Sequence, residues 1–235
     1  MPKEVAHKPP KASAGDVAHA VAKAAIGSLP YAGNAAVEAF QLIFGPPIEK
    51  RKMAWMEDVA EAIRKLEAAG KTVAEDLASN DVFLDTMMQA SQAAVRTSQK
   101  EKRDALRNAV LNAALPYAPD ESRQQIFLSW VESLTVWHLR MLKLFADPPR
   151  WYQENNRQPP QYHITSSLSG LLTNAYPELA KEDRLCDKLA KDLYNAGLIG
   201  SDSIKVMMSA SGAFEKRATE LGNQFLQFIT DPIAK

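Results

Sequence analysis

The residues best suited to chemistry are few and scattered. His7, His19, His138 and His163 lie far apart, and no two stand at a metal-binding spacing such as H-E-x-x-H. His138, between Trp137 and Leu139, is expected to be ordered on a helix and to serve structure rather than catalysis. Cys186, beside Leu185, reads as a small core residue rather than a nucleophile. Glu57 and Glu61 share a helix face, which would suit paired carboxylates in acid–base work, yet no histidine accompanies them and a solvated face is the reading taken. Gly27 and Gly33 lack phosphate-loop spacing, and no Lys-Ser/Thr follows them. The expectation is a protein that is not an enzyme, with no catalytic, cofactor-binding or metal-ligating residue assigned and no cofactor implied.

Composition narrows the classes further. The 235 residues suffice for one large or two small domains, and 46% are hydrophobic, as in ordinary globular chains. Lys plus Arg total 28 and Asp plus Glu total 28, so no global field draws the chain to phosphate polymers or anionic lipid. Cys186 is the single cysteine, which excludes an internal disulfide and a zinc site built from cysteines. No basic segment runs directly into an apolar signal core, so a cytoplasmic location is expected, with peripheral membrane association as the variant.

The elements that would position any site begin with an unusual stretch. Residues 24–48 carry one charge, Glu38, and alternate small residues with bulky ones. Pro30 divides it, giving expected helices over 14–29 and 34–44, the second started by Gly33-Asn34 and stopped by Gly45-Pro46-Pro47. Neither half reaches the roughly 20 apolar residues of a membrane span. The expectation is a helical hairpin whose Tyr31, Phe40, Leu42, Ile43 and Phe44 are covered either by the protein core or by a lipid or partner surface.

The rest of the chain predicts a mainly α protein. Residues 1–13, with three prolines and three lysines, read as a disordered tail; 14–115 as an N-terminal helical domain; and 120–233 as a winged-helix-like module with one small β-hairpin. Met56, Val59, Ile63 and Leu66 predict an amphipathic helix ending near Gly70. Asn80 or Asp81, Asp120, Thr135 and Thr219 are expected N-caps. Asp147-Pro148-Pro149 reads as a stop, followed by a polar linker over 150–163 in which Trp151 and Tyr152 are candidate partner contacts, or else fold back over the helices. Residues 204–208 and 214–218 read as a two-stranded ribbon turning at Ser211-Gly212.

A winged-helix order raises DNA binding through residues 181–195. Its Lys181, Arg184, Lys188 and Lys191 are matched by Glu182, Asp183, Asp187 and Asp192, a poor surface for a polyanion, so a nucleic-acid partner is disfavoured.

Three phrases, GPPIEKRKMAWMEDVAEAIRKLE, RTSQKEKRDALRNAVLNAAL and KRATELGNQFLQFI, give the chain a resemblance to the Abi-alpha type family of bacterial proteins grouped under abortive phage infection. The resemblance implies a role in antiviral defence or stress and carries no catalytic residues. Together these readings predict a non-enzymatic defence-associated protein acting through a protein partner or a membrane-active N-terminal hairpin; the alternative is a winged-helix transcriptional regulator.

Overall fold

A computed structural model describes residues 33–162 and 164–233, with side chains described at Ile43 and from Gly45 onward. The chain divides into two compact units, Met1–Ala54 and Trp55–Lys235. The fold is mainly α, with one two-stranded antiparallel pair among the described residues.

Helix α1 spans Gly33–Ala68 and contains Pro46 and Pro47 in its interior. The expected stop at Gly45-Pro46-Pro47 is therefore corrected: the helix runs through it. Proline fixes φ at a helical value, so the turn survives, but Pro46 and Pro47 donate no N–H and deprive the Leu42 and Ile43 carbonyls of their usual helical partners. The first half of the expected hairpin, with Tyr31, lies outside the described residues.

In the second unit Trp55, Val59, Ala62 and Leu66 are buried at steps of four, three and four. Val59 and Leu66 face inward as expected and Ile63 is partly buried, but Trp55 takes the place of Met56: its Nε1 donates to Ser91 Oγ at 2.9 Å, while Met56 is exposed. Gly70, at φ +68°, ends the helix, and the Lys71 N–H returns to the Leu66 carbonyl at 3.1 Å.

A short helix α2 (Ala74–Leu77) leads into α3 (Asp81–Arg96), where the Asn80 side chain accepts from the Phe83 N–H. Helices α4 (Lys100–Ala113) and α5 (Glu121–Ser133) follow, the latter capped by Asp120. Helix α6 (Val136–Ala146) starts at Thr135. The expected linker then departs from the sequence reading: Pro148–Glu154 is a helix, α7, in which Pro148 and Pro149 occupy the first turn and the Asp147 carboxylate accepts from the Arg150 N–H. A proline pair that stops one helix can start the next, because first-turn N–H groups have no helical acceptor.

Strand β1 (Thr165–Ser166) precedes α8 (Leu168–Ala175) and α9 (Asp183–Asn195); strand β2 (Met208–Ser209) and helix α10 (Glu220–Phe228) complete the order. The ribbon is not the one expected. Met208 pairs with Ser166 and Ser209 with Thr165, residues 212–214 form a 3-10 turn, and Ala218 bridges Ile199. Ile204 is fully buried and its carbonyl accepts from the Ser169 N–H at 2.8 Å, which holds its segment against α8 and away from 214–218.

The segments expected as separate domains on either side of residues 115–120 share one core over residues 55–233. Phe127 of α5 packs against Phe225 and Phe228 of α10, each with ring centroids 5.6 Å apart, and α4 adds Leu106, Ala109 and Val110.

Candidate functional site

The sequence proposed its site on the apolar stretch, and α1 carries the part of it from Gly33 onward. Phe40, Leu42 and Phe44 lie on helical backbone, and the described side chain among them, Ile43, is exposed. Exposure continues along the helix: Ile48 at 39%, Met53 at 53% and Met56 at 53% present large apolar side chains to solvent. Every side chain described between Ile43 and Ala54 is exposed. Most helical stability in proteins comes from packing of an apolar face, so the exposed apolar side chains of this segment gain from a second surface. No helix among the described residues is long and apolar enough to cross a membrane.

Trp151 and Tyr152 are not surface anchors. Both are buried, because α7 turns them into the core: Trp151 packs edge-on to Tyr176 at 5.2 Å, and the Tyr152 hydroxyl donates to Asn174 Oδ1 at 2.8 Å. Burial pushes the Tyr152 phenol well above its ordinary range and Tyr176 up to about 12, so both stay neutral hydrogen-bonding groups.

On α9 one cation, Lys188, is tied to a neighbouring carboxylate, and a second α9 carboxylate takes a lysine from outside the helix. Lys188 binds Asp192, and Lys205, from the segment ahead of β2, binds Asp187 at 2.7 Å. Lys191 lies 5.2 Å from the Tyr194 ring centroid. The Lys188 ammonium holds the Asp192 carboxyl below its usual range. Each such pair offsets the attraction of one cation for phosphate.

The remaining chemistry-bearing residues serve packing. Cys186 is buried with Sγ 3.8 Å from the Leu179 carbonyl oxygen, and burial, followed by the nearby Asp183, Asp187 and Glu182, pushes its thiol up and away from the reactive thiolate. Glu61 is engaged by Lys65 at 2.6 Å, while Glu57 is exposed. His138 is buried: Nδ1 accepts from the Thr135 N–H at 3.0 Å, and Nε2 lies 3.2 Å from Asp192 Oδ2. His7, His19 and His163 lie outside the described residues, as does Gly27. Among the described residues no group of three or more His, Cys, Asp or Glu side chains is placed to hold a metal ion.

Sequence reasoning missed a buried carboxamide pair on α4. Asn108 Nδ2 donates to the Ile229 carbonyl at 3.0 Å, and Asn112 Nδ2 lies within donating distance of the Phe228 and Thr230 carbonyls. The signal was present in the run ALRNAVLNAAL, where two asparagines four residues apart interrupt an otherwise apolar face. Beside Asn112 lies a recess of about 220 Å³, with Tyr117, Arg123 and Gln227 among its walls and Phe228.

No family model, curated protein or solved structure matches this chain.

Proposed function

We propose that this chain is a non-enzymatic bacterial defence- or stress-associated protein that works by binding, with the N-terminal part of α1 as the contact element for a protein partner or a membrane surface. The observation that supports it most is the run of exposed Ile43, Ile48, Met53 and Met56 along one helix. Covering a side chain of this size is worth about 1.5 to 3 kcal/mol, so three or four together hold a helix at an interface. The defence role rests on the resemblance of the three sequence phrases.

In this reading the contact element is a helix that runs on past Gly45 rather than a hairpin arm that stops there. A charged substitution at an exposed position should leave the fold intact, which makes Ile43→Asp with Met53→Asp the informative variant. Flotation with vesicles of mixed zwitterionic and anionic lipid, and survival of bacteria expressing the chain under phage challenge with and without its genomic neighbours, are the measurements. Loss of flotation identifies a lipid surface; loss of protection with unchanged flotation identifies a protein partner. A folded variant that floats and protects like the wild type removes the proposal.

DNA regulation, with α9 and the segment before β2 as its surface, is the second reading, and it rests on the winged-helix-like order expected from the sequence. The paired state of Lys188 and Lys205 weighs against it. A specific complex requires a steep salt dependence, and failure to shift mixed-sequence duplex DNA at low salt dismisses it.

A further inference from the structure

His138 joins two helices through both ring nitrogens. The Thr135 N–H can only donate, so Nδ1, 3.0 Å from it, is the unprotonated nitrogen, and the ring proton sits on Nε2 toward Asp192 Oδ2 at 3.2 Å. Histidine thereby fills the third helical position of α6, where Glu or Gln closes a capping box. Unlike those residues, it titrates near neutral pH.

We propose that His138 is an acid-sensitive latch on the first turn of α6: a proton taken from solvent onto Nδ1 turns the acceptor of the Thr135 cap into a donor and releases that turn, while Nε2 keeps its contact with α9. The new N–H still has the Thr135 hydroxyl oxygen at 2.9 Å, but the Thr135 backbone N–H loses its acceptor. The charged groups facing the ring are Asp192 and Lys188 from α9 and Lys102 from α4. Asp192 favours the imidazolium; burial opposes it more strongly, and the two lysines add to that opposition. Because burial holds the folded imidazole below its ordinary range, the neutral form is the one the fold prefers. The latch therefore contributes fully above the free-histidine pKa of about 6.5 and is lost as pH falls below that toward the folded value.

The decisive comparison is wild type against His138→Gln, since glutamine retains the acceptor for the Thr135 N–H and carries no titrating group. Amide hydrogen exchange over residues 135–140 and 188–196, corrected for intrinsic rates, is measured at about pH 7.5 and about pH 5. The wild type should lose about fivefold in protection in the first turn of α6 at the lower pH, and the variant should not. Equal losses in both proteins, or no loss in the wild type, overturn the latch. Should His138→Gln fail to fold, imidazole ¹⁵N shifts of the wild type decide. The Nε2–H tautomer at neutral pH, gaining its second proton over the range in which exchange accelerates, supports the latch. An Nδ1–H tautomer overturns it.

Discussion

Asn112 closes the carboxyl end of a helix that lies more than a hundred residues away. Its Nδ2 is 2.9 Å from the Phe228 carbonyl oxygen and 2.8 Å from that of Thr230, at the end of α10, and also 2.8 Å from the Asn108 carbonyl in its own helix. Helix ends leave carbonyls without backbone partners, and Phe228 is buried, so water is a poor substitute. Asn112→Leu keeps the volume and removes the donor. It should lower unfolding free energy by about 3 kcal/mol, from the cost of buried unpaired acceptors. Asn108→Leu, which loses the bond to Ile229, should cost about 1 to 2 kcal/mol on the same scale. Urea midpoints at unchanged slope are the measurement, and equal stability of Asn112→Leu and wild type contradicts the capping role.

Gly222 stands where α10 crosses the end of the turn after α9. A Cβ built there lies 2.2 Å from the Leu198 carbonyl oxygen, a backbone atom whose own position is fixed by the Thr219 N–H at 3.0 Å. The neighbour cannot step aside as a side chain would. Gly222→Ala should therefore destabilise by about 3 kcal/mol, the upper end of ordinary overpacking. Gly45→Ala is the exposed comparison: apart from its chain neighbours nothing lies within 4 Å of the added Cβ, but Pro46 follows and disfavours a helical residue with a Cβ before it, so no gain in global stability is expected. The thermal midpoint should fall for Gly222→Ala and should not rise for Gly45→Ala.

These sites mark how far the amino-acid order could be read. The caps at Asn80, Asp120 and Thr219 were legible because a cap is decided within four residues: Asn80 accepts from Phe83, Asp120 from Arg123 and Thr219 from Gly222. The ribbon was not, because its pairing depends on contacts across the chain. Ile204 is committed to Ser169, so Met208 finds Ser166 instead of the residues just beyond the turn. Trp55 and Met56 differ by one step of helical phase, and the Trp55 bond to Ser91, which accompanies the inward phase, is 36 residues distant. Local residue types gave the mainly α fold, while the carboxamide pair of Asn108 and Asn112 became intelligible only beside the end of α10. For the contact element, the sequence located the apolar stretch but placed a helix stop where the backbone continues.

That continuation at Gly45-Pro46-Pro47 makes a testable claim about α1. Two prolines in a helix interior leave the Leu42 and Ile43 carbonyls without their usual donors, and every side chain described from Gly45 to Ala54 is exposed, so little packing offsets the loss. The segment around them should be the least protected part of the described helix, opening while Trp55–Leu66 stays closed on its core. Replacing Pro46 and Pro47 by alanine restores two donors, each substitution favouring the helix locally by about 3 kcal/mol. Far-UV circular dichroism should show a gain in helix with no fall in the global unfolding midpoint, and exchange at residues 46 and 47, which acquire amide protons, should be slow. If bending at the prolines is what lets the exposed Ile43 and Met53 meet a surface, the stiffened protein should also bind vesicles or protect cells less well than the wild type. Fast exchange at residues 46 and 47 of the substituted protein, with no gain in helicity, would mean that the segment is not helical even with its donors restored, and the continuous α1 would be wrong.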